Sequence, residues 1–453
     1  MLKAVLPIML FVFAFPPFSF ASPVNRASYW VGRLKSPDEI ILGASGIEEL
    51  NDIIISRNGQ MADLDRLPKT VFGGPLTEWL LHDPMPSTDA KRYDARGRRL
   101  KGAFFDAIFE NMDLGGVDGV NEVRPCVVID RADVRAFPTD EPVLVSPAKK
   151  GFDAFQYSSV YPTERAALLH VSRDGRWGFF QTSTVRGWIR LDKVALVDDA
   201  MENENSGPWA PLVVTGSKVK VYGDGRFKTL LGTVPMGAVL DMREAGGADG
   251  PYIVRFPKAG TDGSVIWADG YVKKGADVNE GFLPYTKRNV IEQAFKMLGE
   301  EYGWGGKDGK RDCSVFIKDL FASMGIRLPR NSRDQRSIGE VLADWDYPEG
   351  DIQDALSNAE PGITLLGLKG HIMLYIGERD NRPYVIHQVY GYVEKSRLKV
   401  INRVAVTDLD LGRRSKAGPL KKRIRSVNEV LVPSAPDGRP GYEGAPPDPS
   451  SGI

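Results

Sequence analysis

The chain holds one cysteine whose surroundings suit a nucleophile. Gly303, Gly305, Gly306 and Gly309 run into Asp312, a strong helix-capping residue, and Val315, Phe316, Leu320, Phe321 and Met324 then recur at helical spacing until Gly325. Cys313 is therefore expected in the first turn of a buried helix. Unpaired backbone N–H groups and the positive end of the helix dipole favour a thiolate there, and the glycines let a substrate backbone come close. The chemistry this allows is thiol attack on a carbonyl carbon, and it needs a base. The chain has 4 histidines, and two of them, His371 and His387, follow Cys313.

Both histidines lie in segments that read as strands. In Gly370–Gly377 the alternation sets Ile372, Leu374 and Ile376 on one face and His371, Met373 and Tyr375 on the other, so the histidine faces away from the main apolar side. A polar turn over 378–383 leads into Tyr384–Tyr390, which carries His387. Pairing about residue 379 brings the two imidazoles opposite or diagonal to one another on one face, close enough for one to orient the other.

A helix-borne cysteine followed by a strand histidine and a polar residue on the next strand is the papain-like order. Taken with Tyr302-x-Trp-Gly-Gly, Asp312-Cys313-Ser314, Leu328-Pro-Arg330-Asn-Ser332-x-x-Gln335, Gly370-His371-x-x-Leu374-Tyr375-Ile376-Gly377 and Ile386-His387, the segment resembles the NlpC-type peptidoglycan endopeptidases. Val315 departs from the small residue common there, but it suits a core-facing helix position. The resemblance implies hydrolysis of the bond between γ-D-glutamate and a diamino acid, usually meso-diaminopimelate, in peptidoglycan stem peptides of three or four residues. Cys313 would be the nucleophile, His371 the base and His387 its orienting partner. Tyr302 would help hold the oxyanion, and Asp312, Ser314 and Ser332 would sit near the amine of a free L-alanine. In some members the first SH3-like domain adds an acidic residue, for which Glu164 is the loosest candidate; the tyrosine that others place before the Gly-Trp pair is Val185 here. No metal or cofactor is called for, since no Cys/His/carboxylate set has ligand spacing.

Stepping outward, Asp133–Phe137 recurs as Lys218–Tyr222, 85 residues on, and Gly187-Trp188-Ile189 as Gly270-Tyr271-Val272, 83 residues on. This is an internal duplication of short β-rich runs with turn signals, and it resembles a pair of bacterial SH3-like barrels. They would bind cell-wall ligands or only buttress the enzyme. Upstream, Ser45-Gly-Ile47-Glu48 reads as a capping box before a helix with Ile47, Leu50 and Ile54 on one face. That partly helical region resembles the clip-like stabilising segment of some members. Residues 1–21 resemble a cleaved secretory signal, a charged tip and an apolar run broken by Pro16 and Pro17, with processing expected between Ala21 and Ser22.

The expected architecture is thus an α+β multidomain chain: signal 1–21, N-terminal region 22–120, SH3-like domains at 123–199 and 208–280, a papain-like domain at 281–425 opened by a capped helix after Thr286, and a disordered Pro/Gly-rich tail at 426–453. The 59 basic and 59 acidic residues give no electrostatic case for nucleic acid. A monomer acting in the periplasm or cell envelope is expected. Cys126, beside Val127 and Val128, reads as a buried structural thiol. Two other classes remain open, a non-catalytic wall-binding protein and a papain-like acyltransferase.

Overall fold

The computed structural model describes residues 22–86, 90–197, 207, 209–247, 250–344 and 349–434. The expected signal at 1–21 and most of the expected tail, 435–453, lie outside them. No helix among the described residues is long and apolar enough to cross a membrane.

The C-terminal part is a six-stranded antiparallel sheet, in the order Glu340–Ala343, Ser426–Glu429, Thr364–Leu368, His371–Arg379, Arg382–Glu394, Arg397–Asp408. The helix Cys313–Ala322 packs on its His371 strand, and Lys287–Lys296 packs on that helix, with Thr286 capping it through the Asn289 N–H. The apolar face read from the sequence is there: Ile372, Leu374 and Ile376 share a core with Phe316, Ile317, Leu320 and Phe321 of the Cys313 helix. The opposite face differs from expectation. Met373 and Tyr375 form a second core with Ile352, Leu356, Leu420 and Ile424, so the sheet is buried on both sides and His371 is sealed rather than half-solvated. Strand Ser426–Glu429 pairs with Thr364–Leu368, which carries this unit past the expected limit of 425.

The hairpin is tighter than expected. Arg379 pairs with Arg382 across Asp380 and Asn381, both at positive φ (52° and 56°), the geometry of a two-residue primed turn that Asn and Asp tolerate. A register shift between Tyr375 and Gly377 then sets Leu374 opposite Ile386, so His371 and His387 are diagonal neighbours.

The duplication appears in the topology. Two seven-stranded antiparallel sheets have the same order. The first runs Gln156–Val160, Ala132–Arg135, Arg186–Arg190, Trp177–Thr182, Arg165–Val171, Arg124–Val128, Val194–Leu196. The second repeats it as Leu230–Pro235, Lys218–Tyr222, Val265–Val272, Tyr252–Ala259, Val239–Glu244, Ala210–Val214, Val278–Glu280. The segments matched in the sequence occupy equivalent strands.

The N-terminal region serves two partners. Trp30, Leu50 and Ile54 are buried in the core of the Cys313 helix, whereas Leu76, Leu80, Phe105, Ile108 and Met112 are buried against Phe137, Phe155, Trp177 and Trp188 of the first sheet. Strand Thr70–Phe72 pairs with Val120–Glu122 and closes the second half. The expected capping box does not form: helix Ala44–Arg57 starts two residues earlier, with Gly43 at the cap, and Ser45 falls inside its first turn.

Candidate active site

Asp312 begins the site. Its Oδ1 accepts from the Val315 N–H (3.0 Å) and so caps the helix that Cys313 opens, as expected. The same oxygen receives Ser314 Oγ (3.1 Å) and Arg330 Nη1 (3.3 Å), while Oδ2 receives the Gly305 N–H (3.0 Å) and Arg330 Nη2 (2.7 Å). A carboxylate oxygen has two lone pairs, so both oxygens are committed. The amine partnership that the resemblance implies for Asp312 has no open oxygen to use.

Arg330, in the Leu328–Gln335 motif, is the centre of this network, a role no local sequence pattern signals. Besides Asp312 it donates to Ser314 Oγ (2.9 Å) and, through Nε, to Ser158 Oγ (2.8 Å) on the first SH3-like sheet. Deleting one partner of a buried pair of this kind costs about 3–5 kcal/mol. Gln335 completes the shell by donating to Ser314 O (2.9 Å) and Pro329 O (2.8 Å).

The glycine loop is held from the same side. Gly305 and Gly306 have φ of 63° and 73°, and a Cβ on Gly305 would meet Gln156 Cγ at 2.4 Å. Only glycine fits both the backbone and the space. Gln156 Nε2 donates to Gly305 O (3.1 Å), Ser159 Oγ to Gly306 O (2.7 Å), and Trp304 Nε1 to Asp153 O (2.9 Å). The first SH3-like domain thus shapes the loop that flanks the thiol. The second latches from the other direction: Arg311, almost wholly buried, joins Glu300 (2.6 Å) and Asp319 (2.8 Å) to Ser217 O (2.7 Å).

Cys313 Sγ is buried and accepts from the Ile372 N–H, one residue beyond His371. His371 Nε2 lies 2.8 Å from His387 Nδ1, and His387 Nε2 lies 3.1 Å from Thr407 Oγ1. One arrangement that satisfies these contacts has Nε2–H of His387 donating to Thr407 and Nε2–H of His371 donating to His387. It leaves Nδ1 as the basic nitrogen of His371. Thr407 is thus a further member of the chain of bonds. It lies in an unremarkable β-run, and only the register of its strand against the His387 strand (His387 opposite Ala405) brings it there.

Electrostatics correct one expectation. Burial pushes the Cys313 thiol up to about 12, with the Asp312 charge adding to it, and these outweigh the helix start. Burial, then the neighbouring His387 and Arg423, holds His371 well below the ordinary imidazole range. Burial thus disfavours the charged form of each group. Burial, then Cys313 and Asp312, holds the Tyr302 phenol well above its usual value, so it stays protonated as a hydrogen-bond donor.

The thiol opens on a cavity of about 520 Å³ walled by three parts of the chain. Tyr302, Asp312, Cys313, Ser314 and Ser332 line it, as do Gln156, Tyr157 and Val185 of the first SH3-like domain and Trp79, His82 and Asp83 of the N-terminal region. His371 and His387 stand behind this wall. Glu164 does not reach the cavity. It accepts from the Tyr161 N–H (3.1 Å) beside Lys318 and Asp319 on the outer part of the Cys313 helix, and burial pushes it up to about 7. Its position after Tyr161 puts it on the domain contact, which the strand order decides and the local sequence does not. Cys126 is buried and its thiol is pushed up to about 12 by burial, in keeping with a structural role.

Comparison with known proteins places parts of the chain in two families. Residues 299–400 match the NlpC/P60 family and residues 136–190 the SH3 domain of SH3b1 type. A gamma-D-glutamyl-L-lysine dipeptidyl-peptidase of Bacillus subtilis is 27% identical over 115 residues, covering 25% of this chain and 37% of that protein. The bifunctional muramidase/DL-endopeptidase of the same organism is 31% identical over 85 residues, covering 17% of this chain and 26% of that protein. The chain therefore spans well under half the length of these relatives. A solved structure described as an NlpC/P60 endopeptidase from Photobacterium damselae subsp. piscicida has the same fold over 89% of this chain and 95% of its own, with a TM-score of 0.68 at 19% identity.

Proposed function

Because this chain belongs, over residues 299–400, to the NlpC/P60 family and carries an SH3b1-type domain over 136–190, we propose that it is a cysteine endopeptidase of peptidoglycan stem peptides. The bond cut is that between γ-D-glutamate and the diamino acid, meso-diaminopimelate in the usual case. The observation that carries the reading is the ordered run Cys313, His371, His387, Thr407 behind a peptide-sized cavity.

In this mechanism His371 Nδ1 takes the thiol proton as Cys313 Sγ bonds to the γ-carbonyl carbon of D-glutamate. The oxyanion is received by the Cys313 backbone N–H and the Tyr302 hydroxyl. His371 returns the proton to the departing amine of the diamino acid, the C–N bond breaks and a thioester remains. Water, deprotonated by His371, then releases the glutamyl product and restores the thiol. His387 and Thr407 hold His371 in the tautomer this requires.

Trp79, Leu80 and Asp83 of the N-terminal region line part of the cavity, which supports a preference for short peptides over glycan-linked ones. We expect L-Ala-γ-D-Glu-meso-diaminopimelate to be cleaved at least about tenfold faster than its N-acetylated form, the scale of one partly desolvated polar contact. Mass spectrometry of products from the two peptides checks this. Equal rates would point instead to an enzyme of the intact wall.

Export is part of the same reading. Protein recovered from the cell envelope is expected to begin at Ser22; an N-terminal sequence that started at Met1 would overturn that step.

A further inference from the structure

We propose that the tip of the hairpin Arg382–Glu394/Arg397–Asp408, together with the basic loop that follows it, docks on an anionic phospholipid surface. The chain's 59 basic and 59 acidic residues balance as a whole, yet 11 of the basic and 2 of the acidic ones fall in residues 395–425. The remainder of the chain is therefore net acidic, and positive charge is gathered at one end of the C-terminal sheet. Lys395, Arg397, Lys399, Arg413, Arg414 and Lys416 are all exposed, and none of them makes an ion pair among the described residues. Of the acids nearby, Asp410 is paired with Lys421 (2.8 Å), Asp408 with Arg382 (3.7 Å), and Glu394 lies at the turn opposite Arg397.

The hairpin gives this charge an apolar counterpart. Arg397–Asp408 is the edge strand of the six-stranded sheet, and its first four residues, Arg397 to Val400, are exposed in succession, so the tip runs out past the body of the domain. Val393 pairs with Leu398, and Val400 follows two residues on, which sets the three on one face, 38%, 50% and 53% exposed. Arg397 and Lys399 take the other face, where Tyr392 lies opposite Lys399. Tyr392 packs on the small core that Leu411 also covers, and the Lys395 N–H donates to Arg414 O (3.1 Å), which brings the basic loop against the tip. The base of the hairpin is fixed: the Tyr390 ring is edge-on to Phe152 (4.9 Å) and 5.8 Å from Tyr302. An aliphatic ridge flanked by cations on long stems fits the boundary between anionic headgroups and acyl chains. There the ridge enters the apolar layer while guanidinium and ammonium groups meet phosphates. A soluble polyanion would leave Leu398 and Val400 in water, and a second copy of this chain would set like charges face to face.

The test is co-flotation with phosphatidylcholine vesicles, made with and without an equal share of phosphatidylglycerol. It uses the chain from Ser22 onward, so that the apolar run in residues 1–21 does not itself bind lipid. Wild type should partition onto the anionic vesicles at least about tenfold more strongly at low salt, and the gap should close as ionic strength rises to about 0.5 M. Arg397→Glu combined with Lys399→Glu and Arg414→Glu should bring binding down to the phosphatidylcholine level. Leu398→Ser combined with Val400→Ser should lower it roughly five- to tenfold at unchanged charge. These positions are all exposed, and an unchanged melting midpoint checks that each variant is folded. Long-chain polyphosphate serves as the soluble competitor. If it binds as tightly as the vesicles and the serine pair changes nothing, the surface takes a soluble polyanion and the membrane proposal is overturned. It is overturned equally if wild type binds both vesicles alike or neither, or if sedimentation shows a dimer that the serine pair dissociates.

Discussion

Cys313→Ala should abolish hydrolysis, by at least about 10⁴-fold, while the unfolding midpoint moves little, because the side chain lost is one sulfur at the edge of the core. Cys126→Ala is the internal control: that thiol is equally buried but lies in the first SH3-like sheet, and the variant should keep turnover. The same residue gives a pH readout. With the thiol pushed up to about 12, alkylation of Cys313 by iodoacetamide should be slow at pH 7 and should rise about tenfold per pH unit toward the alkaline side. A labelling midpoint below pH 7 would show that the helix start beats burial after all. Wild-type turnover in Cys313→Ala would remove the nucleophile assignment.

His371→Ala should fall close to the same level, since the thiol loses its proton acceptor and the leaving amine its acid. His387 separates two roles. His387→Asn keeps an oxygen able to accept from His371 Nε2–H and should lose roughly 10- to 100-fold in kcat, whereas His387→Ala leaves His371 free to rotate and to take the wrong tautomer, with a loss nearer 10⁴-fold. The loss should fall on kcat with KM little changed, because neither histidine lines the cavity. Equal kcat for Asn, Ala and wild type at 387 would take this residue out of the chemistry.

What could be read from the sequence follows from how local each signal is. The Asp312 cap, the apolar stripe after Cys313 and the alternation around His371 depend on neighbours a few residues away, and each reappears in the structure. That His371 and His387 are neighbours on one face also followed, whereas the choice between opposite and diagonal was left to the register shift between Tyr375 and Gly377. Other features depend on distant partners. Arg330 meets Ser158 across 172 residues, and no periodicity encodes that meeting. Glu164 was carried over from relatives by position in a domain, but the packing of the first sheet on the Cys313 helix sends it to Lys318 and Asp319. The second buried face of the sheet, which holds Met373 and Tyr375 beside His371, depends on distant partners such as Ile352 and Leu420 that the alternation does not reveal. Thiol acidity has a related dependence: a helix start is visible in sequence, whereas the depth of burial that opposes it is not.

The two halves of the N-terminal region have a consequence for cooperativity. Trp30, Leu50 and Ile54 fill the core of a unit that begins more than two hundred residues later, while Leu76 and Phe105 fill that of the unit next to them. The polypeptide is in effect tied into a ring, first segment to last. A string of separate modules would melt in steps, each at its own temperature; a ring joined through shared cores should melt as one. Cutting it between residues 57 and 70 would then lower the melting of both distant units together, although neither would have lost a residue of its own sheet.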